Sequence, residues 1–357
     1  MNIHFTRFDL GEDLDGQWRT EDANCYYKVR DRIKPFYNTL LKTHDISCGT
    51  PTNPEPINSA DIWFIDCGSC GTCDEVDQTK LIKNIENFKG KLIFYDLHDA
   101  GVGAIDCKIN LGVYPHLFKR ADAIVAGTKN YRISDEVARK TILVPRFLTP
   151  PKERDFIDSK RQNRIVFRGS DMTSIGRDCR DGDYWLHVPR AQIIKYLESY
   201  NYEWIDVKLV DKGESPNFFK YWPEVNKHYL SFNNWLQFLK ESLVCMALPA
   251  AITWTYRHLE AMSCGAAVIS QTFEKPYDHE WMYRDKVLDL FFYFKSDLSD
   301  LMDICEYCIN NRSECIEKGK RGYQVYDEYF RLASDHTYTD KVWKDVQRQF
   351  IDIGINI

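Results

Sequence analysis

Residues 243–270 read LVCMALPAAITWTYRHLEAMSCGAAVIS, and this stretch decides the fold. Residues 243–247 are a short apolar run, long enough for a buried strand. Residues 248–254 contain Pro249 and form a loop. Thr253 or Thr255 can cap the helix that follows, because a hydroxyl there accepts from an otherwise unpaired backbone N–H. That helix spans 256–264 and stops at Gly265, which tolerates the left-handed conformation. Residues 266–270 are the next buried strand. Two strands flanking a short helix make a parallel βαβ unit, and ligands bind beyond the carboxyl ends of such strands. Arg257 and Glu260 are three residues apart at the helix start, so they share a face near its positive end. An arginine and a carboxylate there suit a ligand with phosphates and sugar hydroxyls.

Outward from this stretch, strands and helices alternate along the whole chain. Strands are expected at 2–8, 60–66, 91–95, 121–126 and 140–145, with helices at 23–42 and 78–88. Pro35 should kink or split the first of these helices. Residues 145–161 break the alternation with Pro145, Pro150, Pro151 and a run of charges, and are the expected linker. The pattern restarts with strands at 164–167 and 204–210, helices at 188–200 and 232–241, and then the opening stretch. Helices are expected at 298–310, 313–331 and 338–351. This predicts two α/β domains, each a doubly wound Rossmann-like sheet, facing a cleft. The first covers 1–150 and the second 160–335. A terminal helix at about 338–352 is expected to pack back on the first domain.

Composition narrows the function classes. A net charge of −6 argues against non-specific nucleic-acid binding. No apolar run reaches membrane-spanning length, and the first residues lack the apolar core of a signal peptide, so a cytoplasmic protein is expected. Twelve cysteines in such a chain are mostly reduced thiols. Cys67, Cys70 and Cys73 have CxxCxxC spacing, but a structural zinc needs four ligands, and a Gly-rich turn after a strand is the simpler reading. No metal site is expected.

Trp254-Thr255-Tyr256-Arg257-His258-Leu259-Glu260-Ala261-Met262-Ser263-Cys264-Gly265-Ala266-Ala267-Val268-Ile269 resembles a segment W-S-Y-R-x-x-E-A-x-x-C-G-x-x-P-V-I of the GT-B glycosyltransferases, more narrowly of their exostosin-like branch. Residues 164–170 are similar to the family's first strand of the second domain with its Arg-Gly loop. The resemblance implies a nucleotide-sugar donor, UDP- or GDP-linked, used as a co-substrate with no bound cofactor or metal. It implies that Glu260 holds the ribose hydroxyls and that Arg257 approaches the diphosphate. Arg168, with backbone donors at Gly169 and Ser170, would complete the phosphate cradle. Arg190, at the start of its helix, is a further candidate for phosphate. Trp254 is either a wall for base or sugar or a core side chain; Thr255 and Tyr256 belong to the same segment.

Retaining members of the family place a glutamate eight residues before the one matching Glu260; here that residue is Ile252. An inverting reaction is therefore expected, with one general base taking the acceptor hydroxyl proton. The resemblance implies a base on a first-domain loop. Residues 96–99, with His98 and Asp99, and the acidic loop 9–16 both follow strands. Asp99 or His98 is the favoured candidate, the alternative being that Asp99 caps a helix and His98 is packed or solvated. The expected acceptor is a glycan or glycoprotein. Two other functions fit the same fold: a sugar-nucleotide epimerase or hydrolase, and a non-catalytic nucleotide- or glycan-binding module. On the transferase reading, Arg257→Ala and Glu260→Ala should abolish transfer and leave the fold intact.

Overall fold

The computed structural model describes residues 1–7, 29–49, 57–66, 78–96, 114–129, 134–145, 161–169, 190–210, 230, 232–249, 253–273 and 280–357. The chain forms two units. One comprises Met1–Phe147, Glu280–Met282 and Leu332–Ile357; the other comprises Leu148–His279 and Tyr283–Arg331.

The first unit is built on β1 (Asn2–Arg7), β2 (Asp45–Gly49), β3 (Ile62–Asp66), β4 (Lys91–Asp96), β5 (Ala123–Ala126) and β6 (Thr141–Leu143). Their order is β2-β1-β3-β4-β5-β6, and every pairing is parallel. The central strands read as continuous apolar runs because both faces are covered. Trp63, Ile65, Leu92, Phe94 and Ile124 share a core with Leu81 and Ile85 of the helix Gln78–Asn87 and Leu117 of the helix Tyr114–Arg120. Alternate positions face the other way. The Phe5 and Phe64 rings stack at 4.7 Å, and Phe36 of the helix Val29–Leu41 lies 5.5 Å from Phe64 and 5.3 Å from Tyr95.

The C-terminal helix Asp340–Asp352 joins that second core, with Phe350 at 6.2 Å from Phe36. It also closes a sheet edge. The Gln349 side-chain amide accepts from Leu143 N at 2.9 Å and donates to Leu143 O at 2.8 Å. One amide thus takes the place of a seventh strand at one residue of β6, where open ladder groups would otherwise invite pairing.

Two expectations change here. The helix Val29–Leu41 runs through Pro35 without a break, and the Pro35 carbonyl accepts from Thr39 Oγ1 at 2.6 Å. Strand β2 has no counterpart in the sequence reading. Its residues Asp-Ile-Ser-Cys-Gly carry no apolar run, because an edge strand is paired on one side only.

The second unit is built on β7 (Gln162–Gly169), β8 (Ile205–Leu209), β9 (Ser242–Ala247), β10 (Ala267–Gln271) and β11 (Phe291–Phe294). The order is β11-β10-β9-β7-β8, again all parallel. Strand β11 was also missed. Its four residues, FFYF, are too short a run to be told from a helix turn by periodicity. Phe167, Met246 and Ile269 pack with Ile193 and Leu197 of the helix Arg190–Glu198 and with Leu301 and Cys305 of the helix Leu301–Asn310. The long helix Arg312–Tyr329 lies directly on the turn that ends the helix Tyr256–Ser263. A β-carbon on Gly319 would collide with the Gly265 carbonyl oxygen, and one on Gly322 would meet Met262 Cγ at 3.5 Å.

Among the described residues, Cys245, Cys264, Cys305, Cys308 and Cys315 are buried thiols. Burial pushes the Cys264 and Cys305 thiols up to about 12, which makes them unreactive. No helix among the described residues is long and apolar enough to cross a membrane.

Two predictions follow from packing. Gly319→Ala should destabilise the second unit by about 1–3 kcal/mol, since the obstacle is backbone and cannot rotate away; denaturant titration checks this. The second concerns His4, which is fully buried in β1 with Nδ1 at 2.8 Å from Ser47 Oγ. Burial lowers its pKa from the usual 6.5 to about 4. The folded form therefore favours the neutral ring, and the stability this gives is present above pH 6.5 and lost as pH falls toward 4. The shift is worth about 3 kcal/mol. Hydrogen-exchange protection of β1 and β2 should fall over that window, and His4→Asn should flatten the fall.

Candidate functional site

All five strands of the second sheet are parallel, so their carboxyl ends share one edge. The helix Tyr256–Ser263 begins at that edge. Thr255 is its N-cap, in extended conformation at φ −116° and ψ 166°. Three residues on, His258 reaches back, and Thr255 N donates to its Nδ1 at 3.1 Å. This is a capping box with a histidine where Glu or Gln is usual. A ring nitrogen that accepts carries no proton, so the His258 proton lies on Nε2. It is donated to Ser270 Oγ of β10 at 2.9 Å, and Ser270 donates on to Gln271 O at 3.0 Å. The helix ends as the sequence requires. Gly265 is left-handed at φ 67°, Ala266 N donates to Ala261 O at 3.0 Å, and Gly265 N donates to Met262 O at 3.0 Å. These two bonds make a Schellman motif.

Arg257 and Glu260 form an ion pair. It is not a surface pair: the Glu260 side chain is fully buried and the Arg257 side chain is 14% exposed. Glu260 Oε2 also accepts from Trp235 Nε1 at 2.7 Å, and the Arg257 guanidinium lies 5.1 Å from the centre of the Trp235 ring. Arg257 Nε donates to Arg168 O at 2.7 Å. One guanidinium therefore ties the carboxyl end of β7 to the first turn of the helix.

The Arg168 side chain turns away from this point. Its Nη1 donates to Asp206 O at 2.8 Å and its Nη2 to Asp206 Oδ1 at 2.8 Å, on the edge strand β8. Its backbone carbonyl is the part joined to Arg257. Gly169 ends β7, and its carbonyl accepts from Val210 N at 2.9 Å. Arg190 is 8% exposed. Its Nε donates to Pro249 O at 2.8 Å and its Nη2 to Leu248 O at 3.0 Å, so it holds the chain leaving β9. Trp254 is 1% exposed and packs 4.9 Å from His258 and 5.9 Å from Phe330, as a core side chain. Tyr256 is the first residue of the helix and is half-buried. Lys208, within β8, pairs with Glu198.

The structure thus brings Arg168, Gly169, Arg190, Thr255, Tyr256, Arg257 and Glu260 to one edge of one sheet. Ser170, His98, Asp99, Ile252, Cys67, Cys70, Cys73 and the acidic loop 9–16 lie outside the described residues. Among the described residues no group of His, Cys, Asp or Glu is placed to hold a metal. Trp235, Asp206 and His258 were not singled out by the sequence. A Thr-x-x-His spacing at the helix start could have indicated His258. Trp235 and Asp206 carry no such signal, since each is recognisable only by the partner it meets.

No protein-family model matches the chain, and no curated protein matches it. Solved structures do. An alpha-glucosyltransferase in complex with UDP and a 13-mer DNA containing a HMU base matches with a TM-score of 0.56 at 13% identity, over 99% of this chain and 98% of that one. Anabaena HepE in complex with UDP-glucose matches at 0.54 and 12% identity, over 98% of each chain. The alpha-glucosyltransferase with UDP-glucose and DNA containing an abasic site matches at 0.53 and 13%, over 92% of this chain and 95% of that one. The fold is α/β, with two parallel doubly wound sheets, and it matches that of these GT-B glycosyltransferases. Two of these structures contain DNA.

The capping box yields a prediction. His258→Leu leaves the Thr255 N–H and the Ser270 hydroxyl without their ring partner and should cost about 1–3 kcal/mol. His258→Gln, which can complete the same box, should recover part of that loss in denaturant titrations.

Proposed function

We propose that this chain is a glycosyltransferase that moves a sugar from a nucleotide-sugar to an acceptor. The observation that carries the reading is Arg257. It sits in the first turn of a helix at the carboxyl edge of the second sheet, and its guanidinium is fixed by Arg168 O and Glu260. A helix start with a preoriented fork of N–H donors is suited to a diphosphate. Fold neighbours hold UDP and UDP-glucose, which supports a UDP-linked donor over a GDP-linked one. The residue pattern 254–269 supports the exostosin-like branch.

Glu260 then has two tasks. It holds Arg257 in place, and its contact with the ribose hydroxyls requires that pair to open when the nucleotide arrives. Arg168 acts through its carbonyl and through Gly169 and Ser170 backbone groups, while Arg190 shapes the loop after β9. In the acceptor half, His98 or Asp99 takes the acceptor proton as the leaving diphosphate accumulates charge near Arg257. We propose inversion, on the ground that Ile252 stands where many retaining GT-B enzymes carry a glutamate, and catalysis without a metal, on the resemblance to the GT-B family. A glycan or glycoprotein is the first acceptor class to test. DNA is the second, because fold neighbours carry it.

Burial changes the test that the sequence suggested. Removing Arg257 alone leaves the buried Glu260 carboxylate without its countercharge, at a cost of about 3–5 kcal/mol. Arg257→Ala would therefore confound folding with binding. Arg257→Lys keeps the charge and loses the fork, and Arg257→Met with Glu260→Gln removes both charges together. Both variants should stay folded by circular dichroism and bind UDP at least about tenfold more weakly in calorimetry, a loss of about 1.4 kcal/mol. Wild-type UDP affinity in both folded variants would overturn the assignment. Hydrolysis of UDP-glucose with no acceptor requirement would favour the epimerase or hydrolase alternative. Binding without turnover across glycan and DNA acceptors would favour a binding module.

A further inference from the structure

Residues 196–204 read YLESYNYEW: four aromatic residues, two glutamates, and no lysine or arginine. The chain leaves the helix Arg190–Glu198, turns through Asn201 at φ 51°, and enters β8. A segment that joins a helix to the next parallel strand lies at the amino ends of the strands. It is therefore at the sheet edge opposite Arg257.

The four rings form a continuous array. Tyr196 and Tyr200 meet edge to face at 5.4 Å, Tyr200 and Tyr202 stack at 6.1 Å, and Tyr202 and Trp204 stack at 4.8 Å. The Tyr196 and Tyr200 hydroxyls are 3.0 Å apart, and Tyr202 Oη donates to Glu306 Oε1 at 3.4 Å. Tyr196 and Trp204 rest on the core of the second unit, which accounts for two of the rings. Core packing does not account for the other two. Tyr200 is 40% exposed and Tyr202 is 39% exposed. Two of the six large apolar side chains left exposed among the described residues thus stand side by side in this array. Clustered exposed rings mark interaction surfaces, whereas scattered ones do not.

We propose that this array is a binding surface for a neutral oligosaccharide, separate from the nucleotide site. Three features select that ligand. Aromatic rings match the C–H faces of pyranoses. Phenolic hydroxyls and carboxylates match sugar hydroxyls, as acceptors and donors beside those rings. The charge beside the array is acidic on balance, since Glu203 and Glu306 adjoin it and Glu198 is neutralised by Lys208, and this disfavours a polyphosphate chain. The rings are held in register before any ligand arrives, which lowers the ordering cost of binding.

The test uses the full chain with maltohexaose and cellohexaose as probes, read by calorimetry and by the fluorescence of the Trp204 region. Tyr200→Ser, and Tyr200→Ser with Tyr202→Ser, change exposed side chains and should leave the melting temperature and UDP affinity at wild-type values. The expected result is that at least one hexasaccharide binds the wild type and binds the double variant at least about tenfold more weakly. The single variant should fall between them, and it serves as the test if the double variant does not fold. Failure of both hexasaccharides to bind the wild type, or equal binding to wild type and variants, would overturn the proposal. Binding of a thymidine decanucleotide that is lost in the variants would also overturn it, in favour of nucleic acid. Because UDP affinity is measured on the same samples, loss of this surface is distinguishable from failure of the donor reading.

Discussion

One guanidinium holds the carboxyl edge of the second unit's sheet together. Arg257 donates to the carbonyl that ends β7, pairs with the buried Glu260, and lies over the Trp235 ring. Three elements meet there: a strand end, a helix start and the helix Phe232–Lys240. The helix start and the chain leaving β9 are fixed separately as well. The His258 capping box ties the helix start to β10, and Arg190 ties the loop after β9 to the helix it begins. The helix Arg312–Tyr329 presses on the Schellman turn at the other end, where only glycine fits at position 319. The helix that presents Arg257 is therefore held at both termini, and the guanidinium is held on a rigid support.

The sheets were legible because burial on both faces writes continuous apolar runs into the chain. Runs such as Ile62–Asp66 and Lys91–Asp96 could be read directly, and so could the stop at Gly265, since only a residue free to take φ 67° ends a helix that way. The missed strands fail that description for physical reasons. β2 is an edge strand of polar and small residues, and β11 is four residues long. The helix through Pro35 shows a different limit. Proline forfeits one N–H donor, but Phe36, Thr39 and Leu40 are buried against the sheet and the C-terminal helix, and this packing outweighs the local penalty.

At the site, residue types were legible and their partners were not. The i,i+3 spacing announced that Arg257 and Glu260 share a face, but sequence alone does not say whether such a pair is solvated. Here it is buried, and that inverts the reasoning about alanine variants. Arg168 shows the same gap. Its position at a strand end was readable, yet its side chain goes to Asp206 on a neighbouring strand and only its carbonyl goes to Arg257. Spacing along one element predicts contacts within that element; contacts across the sheet depend on strand order, which was not in the pattern.

The energetics of the buried pair bear on why it exists. Taking a carboxylate and a guanidinium out of water costs more than well-packed apolar side chains of the same size would, so such pairs are often neutral or worse for stability. Leucine or methionine at both positions could pack Trp235 against the helix start without that cost. The pair also concentrates its donors on internal acceptors, which a purely structural cross-link could achieve with one neutral hydrogen bond at lower desolvation cost. The proposed donor site gives an arginine held at a helix start by a buried carboxylate a role that packing alone does not require. When the anion is absent, Glu260 supplies the compensating charge. In the proposed donor complex the diphosphate takes over that role as the pair opens, and the helix start contributes its own N–H groups to the same ligand. On the proposed donor reading, the costly buried charge is retained because the same group is preoriented for the diphosphate, so that stability and binding draw on one interaction.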